Sequence, residues 1–217
     1  MLLKDEEKEN SRLRRLYLHE EQCYRQGAEL VAGLDEAGRG PLAGPVVASA
    51  VVLPPYTLLN GLNDSKLVNP ARREVLFGQI KAGAIGVGIG VVDAQLIDKH
   101  NILEATKIAM KQAIKNLGVT PDFLLIDAVK LDGLSMPQSN IIKGDRVSAS
   151  IAAASIIAKV HRDRLMLDLH EQFPQYGFDK HKGYGTKEHL QALAKYGPCP
   201  FHRRSFAPVR EALNAQN

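Results

Sequence analysis

Four acidic residues stand where an apolar run gives out. Asp35 and Glu36 follow Leu34 directly and precede the glycine-rich turn Ala37-Gly38-Arg39-Gly40-Pro41. Asp127 ends Leu124-Leu125-Ile126, and Asp145 follows Ile141-Ile142-Lys143-Gly144, just ahead of a long helical stretch. Each acid alone has an ordinary explanation as a turn residue or helix cap. Adjacent carboxylates at a partly buried strand end repel one another, and a divalent cation relieves that repulsion. Asp145, close to a helix N-terminus, gains further in its ionised form. All four are hard oxygen donors, which suit Mg²⁺ or Mn²⁺ rather than zinc. Two such ions about 3.5–4 Å apart would clamp the attacking and leaving oxygens of a phosphodiester.

All four acids are read as standing at strand ends, Asp145 just ahead of a long helix. Residues 30–34, 45–53, 84–92 and 122–126 read as strands. Glycine alternates with Ile and Val through 84–92, a pattern of close backbone approaches. Asn69-Pro70 opens a helix, with Asn as cap and Pro in the first turn, and Asp93 caps a short one. Residues 102–117 keep helical spacing up to Gly118. Residues 148–173 form a long helix, rich in Ala and Ser in its first half and basic in its second. Residues 186–196 form another. Strands followed by a helix–strand–helix succession imply an α/β domain with a mixed sheet. Residues 5–27 read as one charged helix with Leu13, Leu16, Tyr17 and Tyr24 near one face. That stripe packs on the main domain, or else Arg12, Arg14 and Arg15 touch nucleic acid.

The 217 residues suit one domain, and the 45% hydrophobic content is enough for a full core. With no Trp and 6% aromatics, that core must be aliphatic. A net charge of +4 is a mild basic bias, compatible with a polyanionic partner but weak as a sign of one. Cys23 and Cys199 have no metal-site spacing and make no disulfide framework. The charged N-terminal residues lack an apolar signal region, and no apolar run reaches the roughly 18 residues of a membrane span. A soluble cytoplasmic protein is expected.

The motifs are more specific together than apart. The run Asp35-Glu36-Ala37-Gly38-Arg39-Gly40-Pro41-Leu42-Ala43-Gly44-Pro45-Val46-Val47 resembles the signature of ribonuclease HII. Asp64-Ser65-Lys66-Leu67, Ile126-Asp127, Lys143-Gly144-Asp145, His181-Lys182-Gly183-Tyr184-Gly185-Thr186 and His202-Arg203-Arg204-Ser205-Phe206 are similar to its other motifs, in order. The resemblance covers about residues 30–210. It implies an RNase H-like mixed sheet flanked by helices, with a catalytic domain over residues 28–217 that includes a C-terminal helical region. Residues 1–27 would be an N-terminal helical extension.

The resemblance further implies an endonuclease that hydrolyses the RNA strand of RNA–DNA hybrids. It would also cut at ribonucleotides embedded in duplex DNA, leaving 3′-hydroxyl and 5′-phosphate ends, in ribonucleotide removal and primer processing. Asp35, Glu36, Asp127 and Asp145 become the ligands of two Mg²⁺ or Mn²⁺ ions. Asp35 would bridge both, with Glu36 and Asp127 on one and Asp145 on the other. Gly38, Arg39 and Gly40 are expected to sense the 2′-hydroxyl, since glycine lets backbone groups approach closely. Tyr184 joins them. Ser65, Lys66, Lys143 and Lys182 are candidate phosphate contacts, and Ser148 either lines the groove or caps the long helix. His181, His202, Arg203 and Arg204 serve either fold or substrate. A monomer with no membrane partner is expected.

Overall fold

Neighbouring parallel strands deliver Asp35 and Asp127 to the same end of one sheet. The computed structural model describes residues 2–214. Its five strands are β1 (Val31–Ala37), β2 (Val46–Val52), β3 (Gly86–Val92), β4 (Phe123–Asp127) and β5 (Gln138–Ile141). They lie in the order β3-β2-β1-β4-β5. The β1–β2 and β2–β3 pairs are antiparallel, and β1–β4 and β4–β5 are parallel. Leu34 pairs with Ile126, so the next residue on each strand is an acid. The C-terminal ends of parallel strands are where open α/β sheets bind ligands.

Helices cover both faces. Helix α4 (Ala94–Lys115) lies on one face, where Ala105, Ala109 and Ala113 meet Ala48, Ala50, Leu34 and Ile126 in a fully buried cluster. The contact is close because β3 presents glycines. A Cβ on Gly88 would strike the Ala113 carbonyl, and one on Gly90 the Ala109 carbonyl. The glycine alternation in the sequence is this helix-to-strand approach. Helix α5 (Ala149–Gln172) covers the other face, packing Ala152, Ala153, Ile156 and Ile157 with Val51 and with Leu76 and Ile80 of α3 (Pro70–Gly83). Short helices α6 (Phe178–His181) and α7 (Lys187–Tyr196) pack around Ala43, Met166, Tyr176, Phe178 and Cys199, and α8 (Ala207–Asn214) packs Val209 with Leu42 and Leu193.

The expected caps hold. Asn69 accepts from the Arg72 amide at 2.9 Å and Asp93 from the Leu96 amide at 2.8 Å. The helices expected on either side of residue 101 abut, with a non-helical Asn101 (φ 67°) between them.

Two local expectations need correction. Residues 5–27 form not one helix but two, α1 (Leu2–Arg15) and α2 (Leu18–Arg25). The break falls at Leu16 and Tyr17, both buried, where the Leu16 carbonyl turns away to accept the Ala149 amide at 2.9 Å. Asp145 does not end a strand. β5 stops at Ile141, Lys143 takes a left-handed conformation (φ 58°), and Asp145 sits in a single 3₁₀ turn, Gly144–Arg146. The Gly144 amide donates to Asp127 Oδ1 at 2.8 Å, a bond that a continuing strand would not make. Among the described residues, no helix is long and apolar enough to cross a membrane.

Candidate active site

The end of the sheet opens into a cleft of about 680 Å³ lined by Asp35, Glu36, Asp127 and Asp145. Four residues separated by up to 110 positions are thus gathered by one parallel strand pair and one turn. The floor is acidic. Asp35 is buried, and its Oδ1 accepts only the adjacent Glu36 amide at 2.7 Å. Burial, reinforced by the charges of Glu36, Asp127 and Asp145, pushes the Asp35 carboxyl well above the usual carboxylate range. Burial also raises Glu36, against the pull of Arg39, which stands 3.4 Å from its Oε1. The second oxygen, Glu36 Oε2, is buried with no hydrogen-bond partner among the described residues. Asp145 is pushed up to about 6, first by burial and then by Asp64.

Asp64 is a participant that motif reading passed over. It is almost fully buried, accepts the Lys66 amide at 2.9 Å, and pairs with Arg146 at 3.2 Å. It therefore holds the Ser65-Lys66 loop against the turn that carries Asp145.

Another part of the cleft wall is the Gly38-Arg39-Gly40 turn together with Tyr184. Gly38 has φ 96°, and a Cβ there would collide with the Arg162 side chain and the Pro45 carbonyl. A Cβ on Gly40 would lie 3.7 Å from Tyr184 Cε1, so ring and turn are neighbours. Two buried arginines fix this wall from behind. Arg203 donates to the carbonyls of Gly38 (2.6 Å), Arg39 (2.8 Å) and Gly44 (2.9 Å). Arg162 donates to those of Pro45 (2.9 Å), Ala43 (3.2 Å) and Lys182 (3.1 Å). Among the described residues, neither guanidinium has a carboxylate partner. Burial lowers Arg162 to about 10 and Arg203 to about 9, with Arg162 adding repulsion to the latter. The planar fork suits this use, since a lysine could not serve several fixed carbonyls at once.

The remaining expectations divide. Ser65 and Lys66 line the cleft with the acids; Lys66 is exposed, while Ser65 is buried and its amide donates to Ser155 Oγ at 3.1 Å. Lys143 and Lys182 stand outside the cleft lining, and the Lys182 ammonium folds back onto the Asp179 carbonyl. Ser148 also stands outside it: fully buried, it caps α5 by accepting the Ile151 amide. His181, His189 and His202 form a buried, stacked group rather than a cleft wall. Lys159 and Ile102 line the cleft but carry no local motif that would have pointed to them.

Known proteins combine these features. A family profile described as Ribonuclease HII matches residues 32–209. The chain belongs to the ribonuclease HII family. A Ribonuclease HII of Acetivibrio thermocellus is 56% identical over 200 residues, 92% of this chain and 78% of that protein. One of Geobacillus thermodenitrificans is 54% identical over 218 residues, 99% of this chain and 84% of that protein. The crystal structure of ribonuclease H2 from Pyrococcus horikoshii superposes with a TM-score of 0.73 at 27% identity, over 86% of this chain and 98% of that one. Ribonuclease HII enzymes are endoribonucleases that act on RNA–DNA hybrids and depend on a divalent metal.

The cleft fits such a metal chemically. Its donors are all carboxylate oxygens, Glu36 Oε2 has no hydrogen-bond partner among the described residues, and the acids raise one another's proton affinity by mutual repulsion. Among the described residues, no three or more His, Cys, Asp or Glu side chains are drawn together closely enough to hold a metal ion as they stand. The acids are neighbours across an open cleft.

Proposed function

We propose that this chain hydrolyses the RNA strand of RNA–DNA hybrids and also cuts at single ribonucleotides embedded in duplex DNA. The cut leaves 3′-hydroxyl and 5′-phosphate ends, and Asp35, Glu36, Asp127 and Asp145 hold two Mg²⁺ or Mn²⁺ ions. The observation that carries this reading is the junction of two surfaces in one cleft: a repelling carboxylate floor, and a glycine turn in contact with a half-exposed tyrosine.

Bound divalent ions supply charge stabilisation at the phosphate as an in-line displacement proceeds. The protein's own part is orientation. Arg203 holds the carbonyls of Gly38 and Arg39 in place, so the turn meets an incoming 2′-hydroxyl with its backbone already set. The Tyr184 ring, beside Gly40, stacks on the following deoxyribose, where a second 2′-hydroxyl would crowd it. Ser65 and Lys66 contact phosphate from the other rim. In this reading residues 28–217 are the catalytic domain. The protein works as a cytoplasmic monomer in ribonucleotide removal and primer processing.

The test is an end-labelled hybrid incubated with Mg²⁺, with Mn²⁺ and with chelator. Internal cuts bearing 5′-phosphates, abolished by chelator, are expected. Exonucleolytic trimming, or cleavage that survives chelation, would overturn the reading.

A further inference from the structure

Glu20 lies on α2, before the first strand of the sheet, yet its carboxylate is buried at the start of α5. Its Oε1 accepts from Ser148 Oγ at 2.6 Å, Ser150 Oγ at 2.7 Å and the Ser150 amide at 2.9 Å. Its Oε2 is buried without a partner among the described residues. A bare carboxylate in the interior is costly. Here it is held by three donors and by the positive end of a 24-residue helix. The link is reinforced next door, where the Leu16 carbonyl accepts the Ala149 amide.

What Glu20 grips is continuous with the candidate metal site. The Ser148 amide donates to the Gly144 carbonyl at 2.8 Å, and the Gly144 amide donates to Asp127 Oδ1 at 2.8 Å. Asp145 sits inside that turn. We infer that Glu20 is a positioning residue for Asp145, so that the N-terminal helix pair is part of the catalytic scaffold. This rests on the reading of Asp145 and Asp127 as metal ligands. Without Glu20, two buried hydroxyls and an amide lose their acceptor, and the start of α5 is free to shift along with the turn that Ser148 anchors.

The test measures Mn²⁺ binding by calorimetry without nucleic acid, alongside melting temperature and steady-state cleavage of a hybrid. Glu20→Ala is expected to weaken Mn²⁺ binding by about tenfold, the lower end of what outer-shell substitutions cost. It should lower kcat with little change in KM. Glu20→Gln, which keeps an acceptor, should show a smaller loss in the same direction. Leu76→Ala, a core truncation on α3, should lower the melting temperature and leave Mn²⁺ binding unchanged. If Glu20→Ala does not fold, Glu20→Gln decides. Wild-type Mn²⁺ affinity in the folded Glu20 variants would overturn the inference. A wild-type chain that binds no Mn²⁺ would instead overturn the metal-site reading beneath it.

Discussion

Arg162 reaches from the middle of α5 to the carbonyl of Lys182, 3.1 Å from its Nη1, across 20 residues of chain. Its other two donors serve Ala43 and Pro45. One buried guanidinium thus joins the segment after the glycine turn to the segment before Tyr184. Arg162 shares the setting of this spacing with the Leu42 amide, which donates to the Gly183 carbonyl at 2.8 Å, and the spacing underlies any selection exerted jointly by Gly40 and Tyr184.

Arg162→Lys keeps the charge and loses the fork. Hydrogen bonds from charged groups contribute about 1.5–3 kcal/mol each, so a loss of about 2–4 kcal/mol in stability is expected. The ratio of cleavage at a single ribonucleotide to cleavage of a continuous hybrid should also fall. Denaturant melts and initial rates on both substrates check this. An unchanged ratio in a destabilised protein would make Arg162 a stabilising residue only.

Tyr184 is 43% exposed, although glycines flank it on both sides. Stacking of an aromatic ring on a base is worth about 1–3 kcal/mol, and a sugar face is taken here as comparable. Tyr184→Ala should therefore slow cutting at an embedded ribonucleotide by about tenfold and a continuous hybrid by less. Tyr184→Phe should keep most of the preference. Equal slowing of both substrates by Tyr184→Ala would remove the junction-sensing role.

Lys66 is exposed on the cleft rim, whereas Lys182 turns its ammonium onto its own loop. Lys66→Ala should reduce the slope of log K against log salt by about 0.9, the amount expected for one lost phosphate contact. Lys182→Ala should change it less. Filter binding between low and moderate salt distinguishes the two, and an unchanged slope in Lys66→Ala returns that side chain to the solvated surface.

Acid should loosen the C-terminal region. His189 Nε2 and His202 Nε2 lie 3.0 Å apart, which requires one nitrogen to donate and the other to accept. Burial, and then the charge of His189, lowers His202 to about 3, and burial also lowers His189. An unfolded histidine titrates near 6.5, so between about 3 and 6.5 the unfolded chain binds the extra proton. Stability from His202 is therefore present above about 6.5 and falls as pH drops, by up to about 1.4 kcal/mol per unit. The raised carboxylates of the cleft act in the opposite sense. The comparison is accordingly wild type against His202→Gln, by denaturant melts at pH 7 and pH 5. The wild type should lose more stability than the variant, and parallel losses would contradict the assignment.

Residues that act through contiguous motifs were legible. Asp35 to Gly40 is one strand end and one turn, and Asn69, Asp93 and Ser148 announce helix starts by side-chain chemistry. Asp145 was legible as an acid but not in its setting, because its turn is shaped by a bond between Gly144 and Asp127 that local pattern does not carry. Arg162 and Arg203 were harder still. Their partners are backbone carbonyls, most of them more than 100 residues away, and a carbonyl has no residue type to leave a trace in sequence. Glu20 was hidden for a different reason, since its partners lie about 130 residues away in sequence. On a charged helix it looks solvated, and only the fold shows it turned inward to Ser148 and Ser150.

The most direct test of the account is the initial rate on a duplex with one embedded ribonucleotide, in Mg²⁺, for wild type, Asp35→Asn and Asp145→Asn. Asparagine keeps the shape and removes the ligand charge. Positioned charge supplies most of the acceleration in such sites, so each variant should lose on the order of 10³-fold or more. In Asp35→Asn the metal-free protein should also melt higher, because a buried like charge is gone. A near-wild-type rate in either variant would contradict the carboxylate cleft as the seat of catalysis.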